Sequence, residues 1–206
     1  LEREWSSFFD MLISRRQATT IRMTLPWAQA IHHMMGLSKD PLVAEGDLID
    51  YDAPVVNAAG ANSPCQNLTI QITRTMLHYV MADYHGAAQL SKNALDASVV
   101  PPSFDRVIAV LFPTLATLAV ARQRGKRAAL RQARKAIAIF QQWVKCSPLN
   151  CVDKLLLLEA EVASLQGENA TAFATYICAI ATAATSRFLL IPGFLMFLGV
   201  VQCNLV

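Results

Sequence analysis

No phosphate-cradling G-x-x-x-x-G-K-[ST] loop occurs in this chain, and no dinucleotide G-x-G-x-x-G or nucleophile-elbow G-x-S-x-G. Nucleotide chemistry, Rossmann redox chemistry and α/β-hydrolase chemistry therefore have no foothold here. Cysteine is scarce and unpatterned. The five cysteines, at 65, 146, 151, 178 and 203, include no C-x-x-C pair. An odd, irregular set suits free thiols in a reducing compartment. Net charge is only +3, too little to argue for nucleic acid. The acids Asp47, Asp50 and Asp52 lack the spacing of a calcium loop. A charged-then-apolar leader is not visible at Leu1–Glu2, and the expectation is a piece of a longer protein.

Helix-forming pattern is abundant. The 206 residues are 54% hydrophobic, much of it alanine and leucine, the composition that helix-on-helix packing needs. In Val152–Thr185, Leu155, Leu158, Val162 and Leu165 recur at helical spacing. Beyond Gly167 a second pattern carries Phe173, Tyr176, Ile177 and Ile180 among alanines that let two helices approach closely. This predicts a helical hairpin of the solenoid kind.

The rest of the chain reads similarly. Residues 1–36 predict a first helix pair: an amphipathic helix over 2–18 ending in Arg15 and Arg16, then a helix starting near Leu25, where Pro26 is tolerated. Residues 37–66 hold three prolines and acids at 40, 45, 47, 50 and 52, which predicts a long acidic connecting insertion. The helical-repeat array is expected over 67–187, with hairpins at 68–97, 104–145 and 152–185. Pro113 should kink its helix. Turns are placed at Ala82, Gly125 and Gly167, spaced 43 and 42 residues, longer than a minimal tetratricopeptide unit. Residues 188–206 carry no charge and read as an apolar C-terminal helix of a truncated repeat, from about Pro192 to Cys203, packed on 169–185. A membrane anchor is the rival for that tail, but Pro192–Gly193, Gln202 and Asn204 leave too short an apolar run.

A search for chemistry yields no catalytic, cofactor-binding or metal-binding residue. His32 and His33 are adjacent and diverge by about 100° on a helix. His78 and His85 flank a turn with no obvious carboxylate partner. Cys146 and Cys151 read as simple thiols. Asn67 and Asn169 head sequon triplets but sit at expected helix starts, where they serve as caps. The seven basic residues from Arg122 to Lys135 have no acid among them. Without interleaved aromatics they read as a solvated helix face rather than a nucleic-acid surface.

Residues 141–183 resemble the helical-repeat region of large multi-sensor histidine kinases. The resemblance lies in Trp143, Cys146 with Pro148, Asn150, Leu157–Leu158–Glu159–Ala160–Glu161, Gly167, Ala172 and Tyr176. DPLVAEGDLID (40–50), MLHYVMADYHGAAQLSKNAL (76–95) and LPWAQAIHHMMG (25–36) continue it, over roughly 1–188. In that family a protein-kinase-like domain, a STAND-type ATPase, tetratricopeptide-like repeats and sensor modules share one chain. The resemblance implies an all-α, tetratricopeptide-like helical-hairpin solenoid. It implies a non-catalytic scaffold segment in a cytoplasmic signalling protein, whose host would bind ATP elsewhere. Its partners would be neighbouring domains or other proteins, not nucleic acid or membrane. A free-standing repeat adaptor, a membrane-attached protein and a helical enzyme are the alternatives, in that order.

Overall fold

The computed structural model describes residues 2–37, 64–92, 104–122 and 125–185, with Asp40 and Leu42. The described residues are all-helical, with no strand among them. They form α1 (Glu2–Ser14), α2 (Ala18–Met34), α3 (Pro64–Val80), α4 (Tyr84–Lys92), α5 (Phe104–Ala121), α6 (Lys126–Cys146), α7 (Pro148–Gln166) and α8 (Asn169–Thr185). Two compact units divide the chain, Leu1–Ala109 and Val110–Val206. The expected tail helix at 188–206 and most of the acidic insertion lie outside the described residues. Of the insertion, Leu42 donates its amide to the Asp40 carboxylate, a local turn. Its last three residues belong to α3, so it ends earlier than expected.

In the first unit α1 packs on α2, α2 on α3 and α3 on α4. The first helix stops at Ser14, short of the two arginines, and Arg16 takes a left-handed φ of 52° in the turn. Pro26 lies inside α2, which begins at Ala18 and not near Leu25. A proline within a helix costs about 3 kcal/mol. Burial of Pro26, Ala28, Ala30 and Ile31 offsets it, because tertiary packing outweighs propensity. One turn earlier the Thr24 hydroxyl donates to the carbonyls of Thr20 and Ile21. The Trp27 side chain hydrogen-bonds Asp105 of α5, whose carboxyl is nevertheless pushed above its usual range by burial.

The second unit stacks α6 on α7 and α7 on α8. Leu118 and Ala121 of α5, Ala129 and Ala133 of α6, and Leu165 of α7 form one core cluster, with Leu130 and Val162 packed against it. Helix α5 is continuous through Pro113. Around it Thr114 donates to the Val110 carbonyl and Thr117 to that of Pro113.

The buried line of α6 is Ala129, Ala133, Ala136 and Phe140, while Leu130, Ile137 and Val144 are only half-buried. Alanine brings the α6 backbone close to α7, and the larger side chains straddle the seam. On α8 the buried line is Ala172, Tyr176, Ala179 and Ala183. Phe173 and Ile177, expected to face inward, are 55% and 52% exposed. The same close approach explains this: the alanine side, not the bulky side, meets α7.

All three expected turn residues have positive φ: Ala82 64°, Gly125 44° and Gly167 88°. Two form Schellman-type ends. The amides of Gly167 and Glu168 reach the carbonyls of Ser164 and Ala163, and those of Ala82 and Asp83 reach Tyr79 and His78. Helix α7 begins at Pro148, its first-turn proline, four residues before the expected Val152.

Candidate functional site

Helix α7 buries three charged residues. Asp153, Lys154 and Glu161 are each 1% exposed. Such charges need partners, since an unpaired buried ion is costly by several kcal/mol. Lys154 Nζ lies 3.1 and 3.0 Å from the two Asp153 carboxylate oxygens. Glu161 is held from two neighbouring segments. Arg122, just past the end of α5, places Nη2 2.7 Å from Oε2, and the Tyr176 hydroxyl of α8 donates to Oε1 at 2.6 Å. Arg122 Nη1 also donates to Ser164 Oγ at 3.0 Å. One carboxylate thus ties together α7, α8 and the segment after α5.

The electrostatics make this a clasp rather than a reactive centre. Both Glu161 oxygens are engaged, so the carboxylate has no lone direction offered to a substrate proton. Burial, then the charge of Glu161, pushes the Tyr176 hydroxyl well above the usual tyrosine range, which keeps it a neutral donor. Burial likewise raises the Cys151 thiol, with Lys154 opposing, so Cys151 is not an activated thiolate. Cys146 and Cys178 are exposed free thiols. Lys126 Nζ donates to the carbonyl of Leu165 in the last turn of α7, a cation at the negative end of a helix.

A second cluster sits at the α3–α4 turn of the first unit. Contrary to the expectation from sequence, His78 does have a carboxylate partner, Asp83, at 2.7 Å from Nδ1. Asp83 also caps α4, accepting the Gly86 amide at 2.9 Å. The Gly86 bond, then the His78 bond, hold the Asp83 carboxyl below its ordinary range. Gly86 is required by space: a Cβ there would overlap Asp83 Oδ2 and His78 Nδ1. Elsewhere in the unit, buried His33 takes a hydrogen bond from Gln29 at 3.0 Å, and burial lowers its pKa so that it stays neutral.

The basic residues Arg127, Arg131, Arg134 and Lys135 are exposed along α6. Asn67 lies inside α3 and not at its start, while Asn169 opens α8. Among the described residues no group of three histidine, cysteine or acidic side chains could hold a metal ion, and no helix is long and apolar enough to cross a membrane. Sequence reasoning passed over Glu161, although a signal existed. It stands three residues after Leu158 and four before Leu165, in phase with the buried stripe. Comparison with known proteins gives no match to a family model, a characterised protein or a solved structure.

Proposed function

We propose that the chain is a tetratricopeptide-like helical-repeat interaction segment, not itself catalytic, of a large cytoplasmic signalling protein of the ATPase or histidine-kinase-like kind. The observation that carries the repeat is the register of burial. A step of 43 residues takes one buried position onto another: Leu68 to Leu111 to Lys154, Ile72 to Leu115 to Leu158, and Thr75 to Leu118 to Glu161. The same step takes Ala129, Ala133, Ala136 and Phe140 of α6 onto Ala172, Tyr176, Ala179 and Ala183 of α8. Like helix pairs that bury each other's faces in series have this register. Lys154 and Glu161 then stand where other repeats carry leucine, which is why each needs a partner.

The scaffold reading also draws on the chemistry of the buried groups. Glu161, Tyr176, Asp153 and Lys154 are engaged with one another or with Arg122, and the fold uses them to join helices. The kind of host follows from the sequence resemblance, and ATP belongs to that host rather than to these residues. Partners are neighbouring domains of the same polypeptide or other proteins.

The test has two arms. Thermal melts of this chain should give the same Tm with and without Mg-ATP, and a clear upward shift would overturn the non-catalytic reading. The reading frame on either side should encode a kinase-like or P-loop module. A frame without one would make the chain a free-standing adaptor and remove the host.

A further inference from the structure

The outward side of α8 is unusual for a surface. Its exposed residues include Ala170, Phe173, Ala174, Ile177, Cys178, Ala181 and Ala184, and the whole helix contains no charged side chain. On α6, the preceding second helix, the outward side carries arginine and lysine. The 43-residue step places Phe173 at the position of Leu130. Leu130 is half-buried and packs on the cluster that includes Leu165 of α7. Phe173 is 55% exposed. What Leu130 has and Phe173 lacks is a following helix.

The chain continues past α8 with such a segment. Residues 188–206, FLLIPGFLMFLGVVQCNLV, hold no charge. The 43-residue step takes Pro148, the first residue of α7, to Ile191 beside Pro192. It takes Lys154 to Phe197, Leu158 to Val201 and Val162 to Leu205. Length agrees as well. From Thr185 back to Phe173 the axis of α8 covers about 18 Å, and a helix from Pro192 to Leu205 covers about 20 Å, at 1.5 Å per residue.

We infer that the outer face of α8, at Phe173 and Ile177, is a docking face for the chain's own residues 192–206. They lie against it as α7 lies against α6, with Phe197, Val201 and Leu205 turned toward the second unit's core. The placement of those three rests on the repeat reading above. The uncharged face and the uncharged segment that follows it do not.

Cysteine cross-linking on the whole chain tests this. With Cys65, Cys146, Cys178 and Cys203 replaced by serine, Phe173→Cys with Leu205→Cys should link within one molecule through a short bis-maleimide. The efficiency should match that of the control pair Leu130→Cys with Val162→Cys. Hydrogen exchange supplies the second readout. Amides of 194–205 should be protected, and should lose at least tenfold of that protection in Phe173→Asp/Ile177→Asp while α7 keeps its own. A link found only between two molecules would make a second copy the occupant and overturn the inference. So would a chain released from membranes only by detergent, or free exchange over 194–205. Failure of the repeat reading is distinguishable, because it would appear as unequal protection at Leu68, Leu111 and Lys154, whatever the tail does.

Discussion

Helices α6 and α8 are built alike on one side and unlike on the other. Inward, each presents three alanines and one aromatic at the same spacing, Ala129, Ala133, Ala136 and Phe140 against Ala172, Tyr176, Ala179 and Ala183. Outward, α6 shows Arg127, Arg131, Arg134 and Lys135, while α8 shows Phe173, Ala174, Ile177 and Ala181. The inner faces answer to one demand, close approach to α7, which lies against both. Small residues meet that demand whatever faces solvent. The outer faces answer to different surroundings, water on α6 and an apolar neighbour on α8. Position in the series of helices, not helix chemistry, separates the two.

The comparison is broken most severely from the inner side. Phe140→Ala and Tyr176→Ala should each cost about 3–5 kcal/mol in urea unfolding, since both rings are buried. Leu158→Ala, at a fully buried site on the intervening helix, should cost about 2–5 kcal/mol. If Tyr176→Ala costs under about 1 kcal/mol while Phe140→Ala costs several, the equivalence of the two faces is wrong.

The aromatics differ in one hydroxyl, and that sharpens the comparison. Tyr176→Phe alone leaves Glu161 with one partner fewer in a buried site, a loss of about 1–3 kcal/mol. Glu161→Leu with Tyr176→Phe restores the repeat's own residue types at both positions. It should be neutral or stabilising, as is often found when well-packed apolar residues replace a buried polar cluster. A double variant less stable than Tyr176→Phe alone would contradict this.

The same hydroxyl sets a pH dependence on α8 that α6 lacks. The folded pKa of Tyr176 is raised, so its contribution is complete below the ordinary tyrosine pKa of about 10. It falls as pH rises above that value. Tyr176→Phe should flatten the alkaline limb of stability against pH. Asp83 in the first unit has the opposite sign. Its folded pKa is lowered, so its contribution is complete above the ordinary value and is lost as pH falls through the folded one. Asp83→Asn should flatten the acid limb.

Smaller effects belong to the turns and outer faces. Ala82→Gly should stabilise by about 0.5–1 kcal/mol, by relieving a left-handed alanine where the other two turns carry glycine. Arg131→Glu on the exposed face of α6 should change stability by less than about 0.5 kcal/mol. It should leave no salt-dependent nucleic-acid binding to lose. A slope against salt that vanishes in this variant would restore the nucleic-acid reading.

Much of the helix layout was legible from residues alone. Leu158 and Leu165 stand in an apolar stripe, Ser147–Pro148 separates two helices, and Gly36, Gly125 and Gly167 take the positive φ at which an L side chain is strained. Which side of α8 turns inward was not legible. Phe173 and Ile177 outrank alanine in hydrophobicity, yet alanine's small size decides when backbones approach. The His78–Asp83 pair escaped notice because it forms only when the chain reverses at Ala82.

The sequence by itself determined that the chain is helical, where most helices end, and the interval at which its turns recur. These are local properties, set by φ preferences and by side-chain spacing along one helix. Tertiary structure alone decided that Pro26 sits inside a helix, that Glu161 is buried and answered by Arg122 and Tyr176, and that Phe173 is left outward. Each depends on which neighbour lies opposite, and a helix's own residues do not specify its neighbour.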